Sequence, residues 1–383
     1  MDSSLARSLI QLSYALILAC LFAACGGSGS NNDDKAPNPT PEAVLAISSL
    51  PRLEPTPATI DELITVLNEA FSLAYDAGAR GQMTTKHWYE LEPQSGNYDE
   101  EIFDSLNSAI DNAMTHDMQQ FVGLQLINTT QREMPADLTD AAFDDTRVIQ
   151  QFELLLDKLL DANPGKIRYL SIGNEVDVYL RAHPEEWTPY KSFFTAIVAY
   201  VHEKAPAIEV GVTATAEGAL TLSTAELQDL NDVSDVVMLT YYPLDFAGDG
   251  TVSVRAPESP DNDFSAMIDF AGDKKVVLQE VGYPASALNT SSQTLQASFV
   301  EHVFSAWKQH AEQIPFLNYF VLHDFTQQTC DEYTLYYGMA GFQNAESFSA
   351  YLCSLGLRGA DGTPKAAWNT LLQQTQQADF ITR

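Results

Sequence analysis

Glu175 and Glu280 are the two side chains best placed to do chemistry. Glu175 follows Ile167-Arg-Tyr-Leu-Ser-Ile-Gly-Asn174, and Glu280 stands inside Lys275-Val-Val-Leu-Gln-Glu-Val-Gly-Tyr-Pro284. Each run has the short, apolar, β-branched character of a strand buried on both faces, and each stops at a carboxylate. An unpaired charge at the mouth of such a strand is costly, so stability alone does not explain it. One glutamate of this kind, taken by itself, reads more simply as a cap or an ion-pair partner. Two glutamates on the same rim of one sheet are the minimum equipment for splitting a glycosidic bond.

The elements that must carry them alternate along the chain. Strand-like runs begin at Val44-Leu-Ala-Ile47, Ala79-Arg-Gly-Gln-Met83, Gln120-Phe-Val-Gly-Leu-Gln-Leu-Ile127 and Ile167–Gly173. They continue at Ile208–Thr213, Val236–Tyr241, Lys275–Gln279 and Phe316–Leu322. Segments of helical periodicity lie between and after them, at 60–77, 100–116, 146–161, 188–204, 222–231, 264–271, 292–312 and 345–374. In the third of these, Phe152, Leu155, Leu156, Leu159 and Leu160 recur at spacings of three and four, the stripe a helix buries against a sheet. Alternation of this kind predicts an α/β fold with a parallel sheet, and eight repeats predict a closed (β/α)8 TIM barrel over residues 44–378. An open doubly wound sheet would want a glycine-rich turn after its first strand, and Ser48-Ser-Leu-Pro-Arg52 is not one. In a barrel, chemistry sits at the C-terminal ends of strands, where Glu175 and Glu280 fall on the fourth and seventh.

With those motifs in order, the chain resembles the clan A retaining glycoside hydrolases. Ser171-Ile-Gly-Asn-Glu-Val176 and Val277-Leu-Gln-Glu-Val-Gly-Tyr-Pro-Ala-Ser286 are most similar to segments of endo-β-1,3-glucanases, as is Val237-Met-Leu-Thr-Tyr-Tyr-Pro-Leu244 on strand six. Endo-β-1,4-galactanases share much of the pattern. The resemblance covers the barrel in layout but only about 25 residues in motif detail, and it does not fix the substrate. It implies Glu175 as acid/base, Glu280 as nucleophile, and Asn174 as a contact to the sugar 2-hydroxyl. Tyr242 is the expected hydrogen-bond partner of Glu280. Tyr241 is its competitor, since neighbours on a strand face opposite ways. Lys86-His-Trp-Tyr-Glu-Leu-Glu-Pro-Gln-Ser-Gly-Asn-Tyr-Asp99 resembles a rim loop of many clan A glycanases, in which Trp88 offers a flat face to a pyranose ring or else fills the core. Strand eight departs from the relatives' terminal tryptophan. There Phe325 and His323 are expected to bind substrate, against a structural His323–Asp324 pair. Tyr179, Trp187 and Tyr190 are further subsite candidates, with helix packing as the alternative.

The composition narrows partners and compartment. Fifty-two acidic residues against 20 basic ones give a net charge of −32. That disfavours nucleic acid and polyanionic glycans and suits a neutral β-linked polysaccharide or oligosaccharide. Leu9–Ala24 reads as the apolar core of an export signal, and Leu21-Phe-Ala-Ala-Cys25 followed by Gly-Gly-Ser-Gly-Ser resembles the lipobox of bacterial lipoproteins. Residues 1–25 are thus expected to be a signal with Cys25 as the lipid attachment point, and 26–43 a flexible tether. The protein is then exported and anchored to the outer membrane, facing the periplasm or the cell surface. Cys330 and Cys353 remain as an even pair and suggest one disulfide. Seven histidines without ligand spacing, no His-Glu-x-x-His and no phosphate loop give no reason to expect a metal or cofactor. The function expected is a retaining endo-β-glycosidase on a neutral β-glucan, β-1,3 linkage favoured. An endo-β-1,4-galactanase or mannanase is the alternative within the clan, and a non-catalytic glycan-binding lipoprotein the alternative outside it.

Overall fold

A computed structural model describes residues 43–382. The signal segment, Cys25 and all but the last residue of the tether lie outside the described residues. Eight parallel strand positions follow one another in the chain: β1 Val44–Ile47, β2 Gly81–His87, β3 Gln119–Asn128 and β4 Ile167–Asn174. Then come β5, in two pieces (Glu209–Gly211 and Thr213–Thr215), β6 Val237–Tyr241, β7 Val276–Val281 and β8 Phe316–Tyr319. Hydrogen bonding runs from the first piece of β5 through β4, β3, β2, β1, β8, β7 and β6 to its second piece. Only Val212 separates the two pieces, so the ends of the path are one strand and the sheet closes. This is the (β/α)8 barrel that the alternation predicts.

Eight helices pack outside: α1 Ile60–Asp76, α2 Glu100–Thr115, α3 Thr146–Ala162, α4 Trp187–Lys204, α5 Thr224–Asn231, α6 Pro260–Ala271, α7 Gln293–Gln309 and α8 Ala366–Gln377. Side-chain caps start several of them, since a carboxylate or hydroxyl can accept from N–H groups the helix leaves unpaired. Asp99 accepts from Glu101 and Ile102, Asp145 from Arg147, and Ser292 from Leu295. The stripe Phe152, Leu155, Leu156 and Leu159 of α3 is buried against the sheet. Inside the barrel, Val44, Ala46, Phe121, Tyr169, Val236, Met238, Val277 and Phe316 form a separate plug that fills it as a packed core.

Two expectations need correction. The second strand starts later than Ala79 and runs on to His87, which carries its side chains up to the rim. The helix expected over 345–374 is two, Ala345–Leu352 and α8, with a loop between. In the loop between them the chain hugs the segment after β8, since a Cβ on Gly356 would lie 2.3 Å from the backbone nitrogen of Asp324. That segment, residues 320–365, carries the helices Gln327–Tyr336 and Ala345–Leu352 over the C-terminal rim, joined by a Cys330–Cys353 disulfide with Cα atoms 5.8 Å apart.

Candidate active site

Glu175 is the first residue past β4 and has left-handed backbone angles, φ 46° and ψ 42°. A glutamate there is uncommon and strained. The turn aims its carboxylate across the mouth, where Oε2 accepts from the Thr129 hydroxyl at 2.8 Å and Oε1 from that of Thr240 at 2.7 Å. Thr129 is itself left-handed (φ 51°), and its N–H donates to the Asn174 carbonyl at 2.9 Å, so the ends of β3 and β4 brace each other. Gly173 is required just before: a Cβ there would lie 2.5 Å from Val176 Cγ1 and 2.9 Å from the Tyr190 hydroxyl.

Glu280 lies in β7, in register with Thr240 of β6, the same threonine that donates to Glu175. One hydroxyl therefore ties the fourth-strand carboxylate to the position beside the seventh-strand one. Tyr242 donates to Glu280 Oε2 at 2.5 Å. Tyr241 points to the other side of the sheet, among Phe264 and Phe299, and donates to Asp263 at 2.8 Å. The alternation of strand side chains thus separates the two tyrosines. The glycine of Glu-Val-Gly has a matching steric reason, because a Cβ on Gly282 would lie 2.6 Å from Tyr242 Cε1 and 2.7 Å from the Phe320 carbonyl oxygen. Phe320, directly after β8, meets the Tyr242 ring edge-on at 6.4 Å, and Tyr351 meets it edge-on at 5.8 Å.

Asn174 belongs to a chain of side chains across the mouth. Its amide donates to Asn128 at 2.9 Å, and its oxygen accepts from Gln279 at 2.7 Å. Gln279 in turn accepts from Thr213, which shares a 2.7 Å hydrogen bond with Ser171. Asn128 extends the network outward to Tyr336, at 3.2 Å.

Burial and mutual repulsion dominate the electrostatics. Desolvation pushes Glu175 up from the ordinary glutamate range, and nearby Asp177 pushes it further, against the two threonine donors. Glu280 is pushed up to about 7 by burial and by Glu175, while hydrogen bonds from Tyr242 and Gln279 favour its ionised form. Two such neighbours titrate as a pair and do not both ionise easily, so one proton stays between them near neutral pH. The phenol of Tyr242 is held well above its usual range by burial and by Glu280, so it remains a donor.

Several candidates from the sequence lie elsewhere. Trp88 is 0 % exposed, meets Phe152 of α3 edge-on and donates to Glu92 at 2.8 Å. It is a core residue with no face for a sugar, because the turn after β2 folds it back under the rim. His323 is 2 % exposed, donates from Nδ1 to the Leu50 carbonyl at 2.7 Å and accepts from Arg358 at 3.3 Å. Both ring nitrogens are engaged away from the carboxylates. Asp324 pairs with Lys365 rather than with His323. Phe325 is buried against Phe320 and Tyr333, and backs the site instead of touching it. Tyr190 is spent on the Ile172 carbonyl and Tyr179 on Glu186. Conversely, Thr129, Thr240, Gln279, Asn128, Phe320 and Tyr351 border the site without having been singled out in the sequence. Thr240 and Gln279 stand inside the quoted motifs, and that adjacency is the signal that was available. Among the described residues, no group of three or more His, Cys, Asp or Glu side chains is placed to hold a metal ion.

No protein-family model matches the chain, and no curated protein does. Many solved structures match. A GH5_18 protein from Bifidobacterium longum subsp. infantis aligns with TM-score 0.65 at 15 % identity, over 88 % of this chain and 79 % of its own. A GH5_18 variant from Streptomyces cattleya, in complex with Manβ1-4GlcNAc, aligns with TM-score 0.66 at 15 % identity, over 88 % and 80 %. The exo-β-1,4-mannosidase Op5Man5 from Opitutaceae bacterium strain TAV5 aligns with TM-score 0.63 at 13 % identity, over 88 % of this chain and 59 % of its own. At this identity the likeness defines the fold class: the chain has the barrel of these glycoside hydrolases.

Proposed function

We propose that the protein is a retaining β-glycosidase. The observation that carries this reading is the pair Glu175 and Glu280 at the ends of β4 and β7, both half-buried, with Thr240 donating to Glu175 and standing in register beside Glu280, and with the proton affinity of each raised. Glu280 attacks the anomeric carbon as a carboxylate and forms a glycosyl ester. The bond to the leaving oxygen breaks as that oxygen takes the Glu175 proton. Glu175 then removes a proton from water, which attacks the same carbon and releases Glu280. Retention of configuration needs the two carboxyl groups about 5–5.5 Å apart. Tyr242 holds the charge on Glu280, and Asn174 offers its amide to the sugar 2-hydroxyl.

For the substrate we favour a neutral saccharide with β-1,4-linked mannose ahead of the β-1,3-glucan that the sequence motifs suggest. The structural neighbours support this order, since one is an exo-β-1,4-mannosidase and others hold Manβ1-4GlcNAc. The test is sugar release by residues 26–383 from mannan, manno-oligosaccharides, Manβ1-4GlcNAc, laminarin, galactan and mixed-linkage glucan, with Glu175→Gln and Glu280→Gln alongside. Activity on a β-mannoside that both substitutions abolish is the expected result. Release from laminarin alone would restore the β-1,3 reading, and binding without release would favour a non-catalytic glycan receptor. Export and lipidation at Cys25 are part of the same proposal. Metabolic labelling with a fatty acid should mark the full chain and fail with Cys25→Ser.

A further inference from the structure

Two residues past the left-handed turn, Asp177 is a carboxylate with no exposed surface. It stands in the short helix Val176–Ala182, which follows Glu175 directly. Three donors converge on it. The Thr215 N–H donates to Oδ1 at 2.8 Å and the Thr215 hydroxyl to Oδ2 at 2.8 Å, both from the end of β5. Arg181, one helical turn further on, donates to Oδ2 at 2.9 Å. The Thr215 hydroxyl accepts in turn from the Gly218 N–H at 2.8 Å. No side chain fits at Gly218, because a Cβ there would lie 2.2 Å from Asp177 Oδ2.

Stability alone does not account for this arrangement. A buried ion pair repays its own desolvation only in part, and apolar residues of similar size often serve a core as well or better. What the carboxylate does supply is a fixed link between the first turn of the short helix and the end of β5. That link matters because Glu175, just before the helix, holds a left-handed backbone unfavourable to any residue with a side chain. Such a backbone persists only where its surroundings over-determine it. On one side, the Thr129 N–H at the end of β3 donates to the Asn174 carbonyl at 2.9 Å. On the other, the Val178 N–H donates to the Glu175 carbonyl at 3.0 Å, and Asp177 ties that same turn to β5. The turn that carries Glu175 is therefore pinned between β3 and β5.

We propose that Asp177 is the positioning residue for Glu175: its clamp on Thr215 holds the left-handed turn that presents the acid/base carboxylate to the leaving oxygen. The inference rests on the glycosidase reading above. Asp177 acts only through Glu175, so its effect is confined to steps that need the Glu175 proton.

The experiment uses the full chain and compares leaving groups that need a proton with leaving groups that do not. β-1,4-Mannotriose is set against 2,4-dinitrophenyl β-mannoside, and laminaritriose against 2,4-dinitrophenyl β-glucoside. The readout is kcat/KM, which reports the steps up to the glycosyl ester and leaves out the later use of Glu175 as a base. Asp177→Asn keeps the shape of the side chain and removes the charge that gathers the donors. Its kcat/KM on the trisaccharide should fall about 10- to 100-fold, the cost of misplacing a reacting group by about 1 Å. On the dinitrophenyl glycoside the fall should be less than about 3-fold, since no proton is needed there. Thr215→Val removes a single donor hydroxyl and should give the same split at several-fold, which keeps the test readable if Asp177→Asn does not fold. Equal losses on both kinds of substrate, or a lower melting midpoint with neither activity changed, would reduce Asp177 to a core ion pair and overturn this inference while leaving the glycosidase reading intact. An unmodified protein that cleaves none of the four substrates would remove the glycosidase reading and this one with it.

Discussion

Replacing Tyr242 by phenylalanine removes one hydroxyl and leaves the ring that Phe320 and Tyr351 pack against. The lost interaction is the 2.5 Å hydrogen bond to Glu280. A hydrogen bond to a charged group contributes about 1.5–3 kcal/mol, and 1.36 kcal/mol corresponds to about one pH unit. The donor stabilises the carboxylate, so its loss raises the Glu280 pKa, and the acidic limb of activity moves to higher pH by about one to two units. Glu280 starts at about 7. Because the two carboxyls titrate as a pair, the loss is read from the displaced limb, below which each unit of displacement costs about tenfold in activity. We expect kcat/KM at pH 7 to fall roughly 5- to 50-fold and to recover as the pH is raised. The assay is the pH profile of kcat/KM on 2,4-dinitrophenyl β-mannoside, whose leaving group needs no proton and so hides the titration of Glu175. An acidic limb displaced by less than about 0.3 unit, with kcat/KM unchanged, would refute the role given to this bond.

Further outcomes follow from the same geometry. Glu175→Gln should cost about 10²–10⁴ in rate on an oligosaccharide but little on the dinitrophenyl glycoside, and equal losses on both would remove its role as proton donor. Gly282→Ala forces a carbon to within 2.6 Å of Tyr242 and 2.7 Å of the Phe320 oxygen. Overpacking of this kind costs about 1–3 kcal/mol, so thermal melts should show a midpoint lower by several degrees together with lost activity. Opening the disulfide with Cys330→Ser and Cys353→Ser frees a crosslink between residues 23 apart. Chain entropy puts that at roughly 3.5 kcal/mol, and denaturant titration should show destabilisation of that order, with non-reducing and reducing conditions equivalent in the variant alone.

The barrel was legible because its signal is redundant: eight apolar runs alternate with amphipathic helices, and a shift of two residues at any boundary leaves the count intact. The carboxylates were legible because each interrupts an apolar pattern. What surrounds them was not, and the reason is geometric. Trp88 looked like a sugar platform because aromatic type and rim position can be read from a string, whereas the direction of a side chain after a strand ends cannot. His323 and Phe325 were placed at the rim by counting past β8, but both are buried within the 320–365 segment that begins there. Thr129 and Thr240 are separated by 111 positions and meet on one carboxylate, a contact only the closed sheet creates. The second half of the 320–365 segment was hidden inside a stretch read as one long helix over 345–374, since Ala345–Leu352 and α8 share a periodicity, and its first helix, Gln327–Tyr336, carried no expectation at all.

The left-handed turn at Glu175 bears on how such a protein would drift. A left-handed backbone costs a side-chain-bearing residue about 1–2 kcal/mol, while glycine and asparagine adopt it readily. Selection for stability alone would therefore push position 175 toward glycine or asparagine, away from the carboxylate. A descendant kept only for holding glycan would be expected to lose its glutamate there early and gain stability in doing so. Position 280, beside a register shift in β7 but without a left-handed backbone, lacks that gradient and would keep its carboxylate longer. In chains of this fold, the identity of the residue at the left-handed turn is then a sharper mark of retained chemistry than the identity of its partner across the mouth.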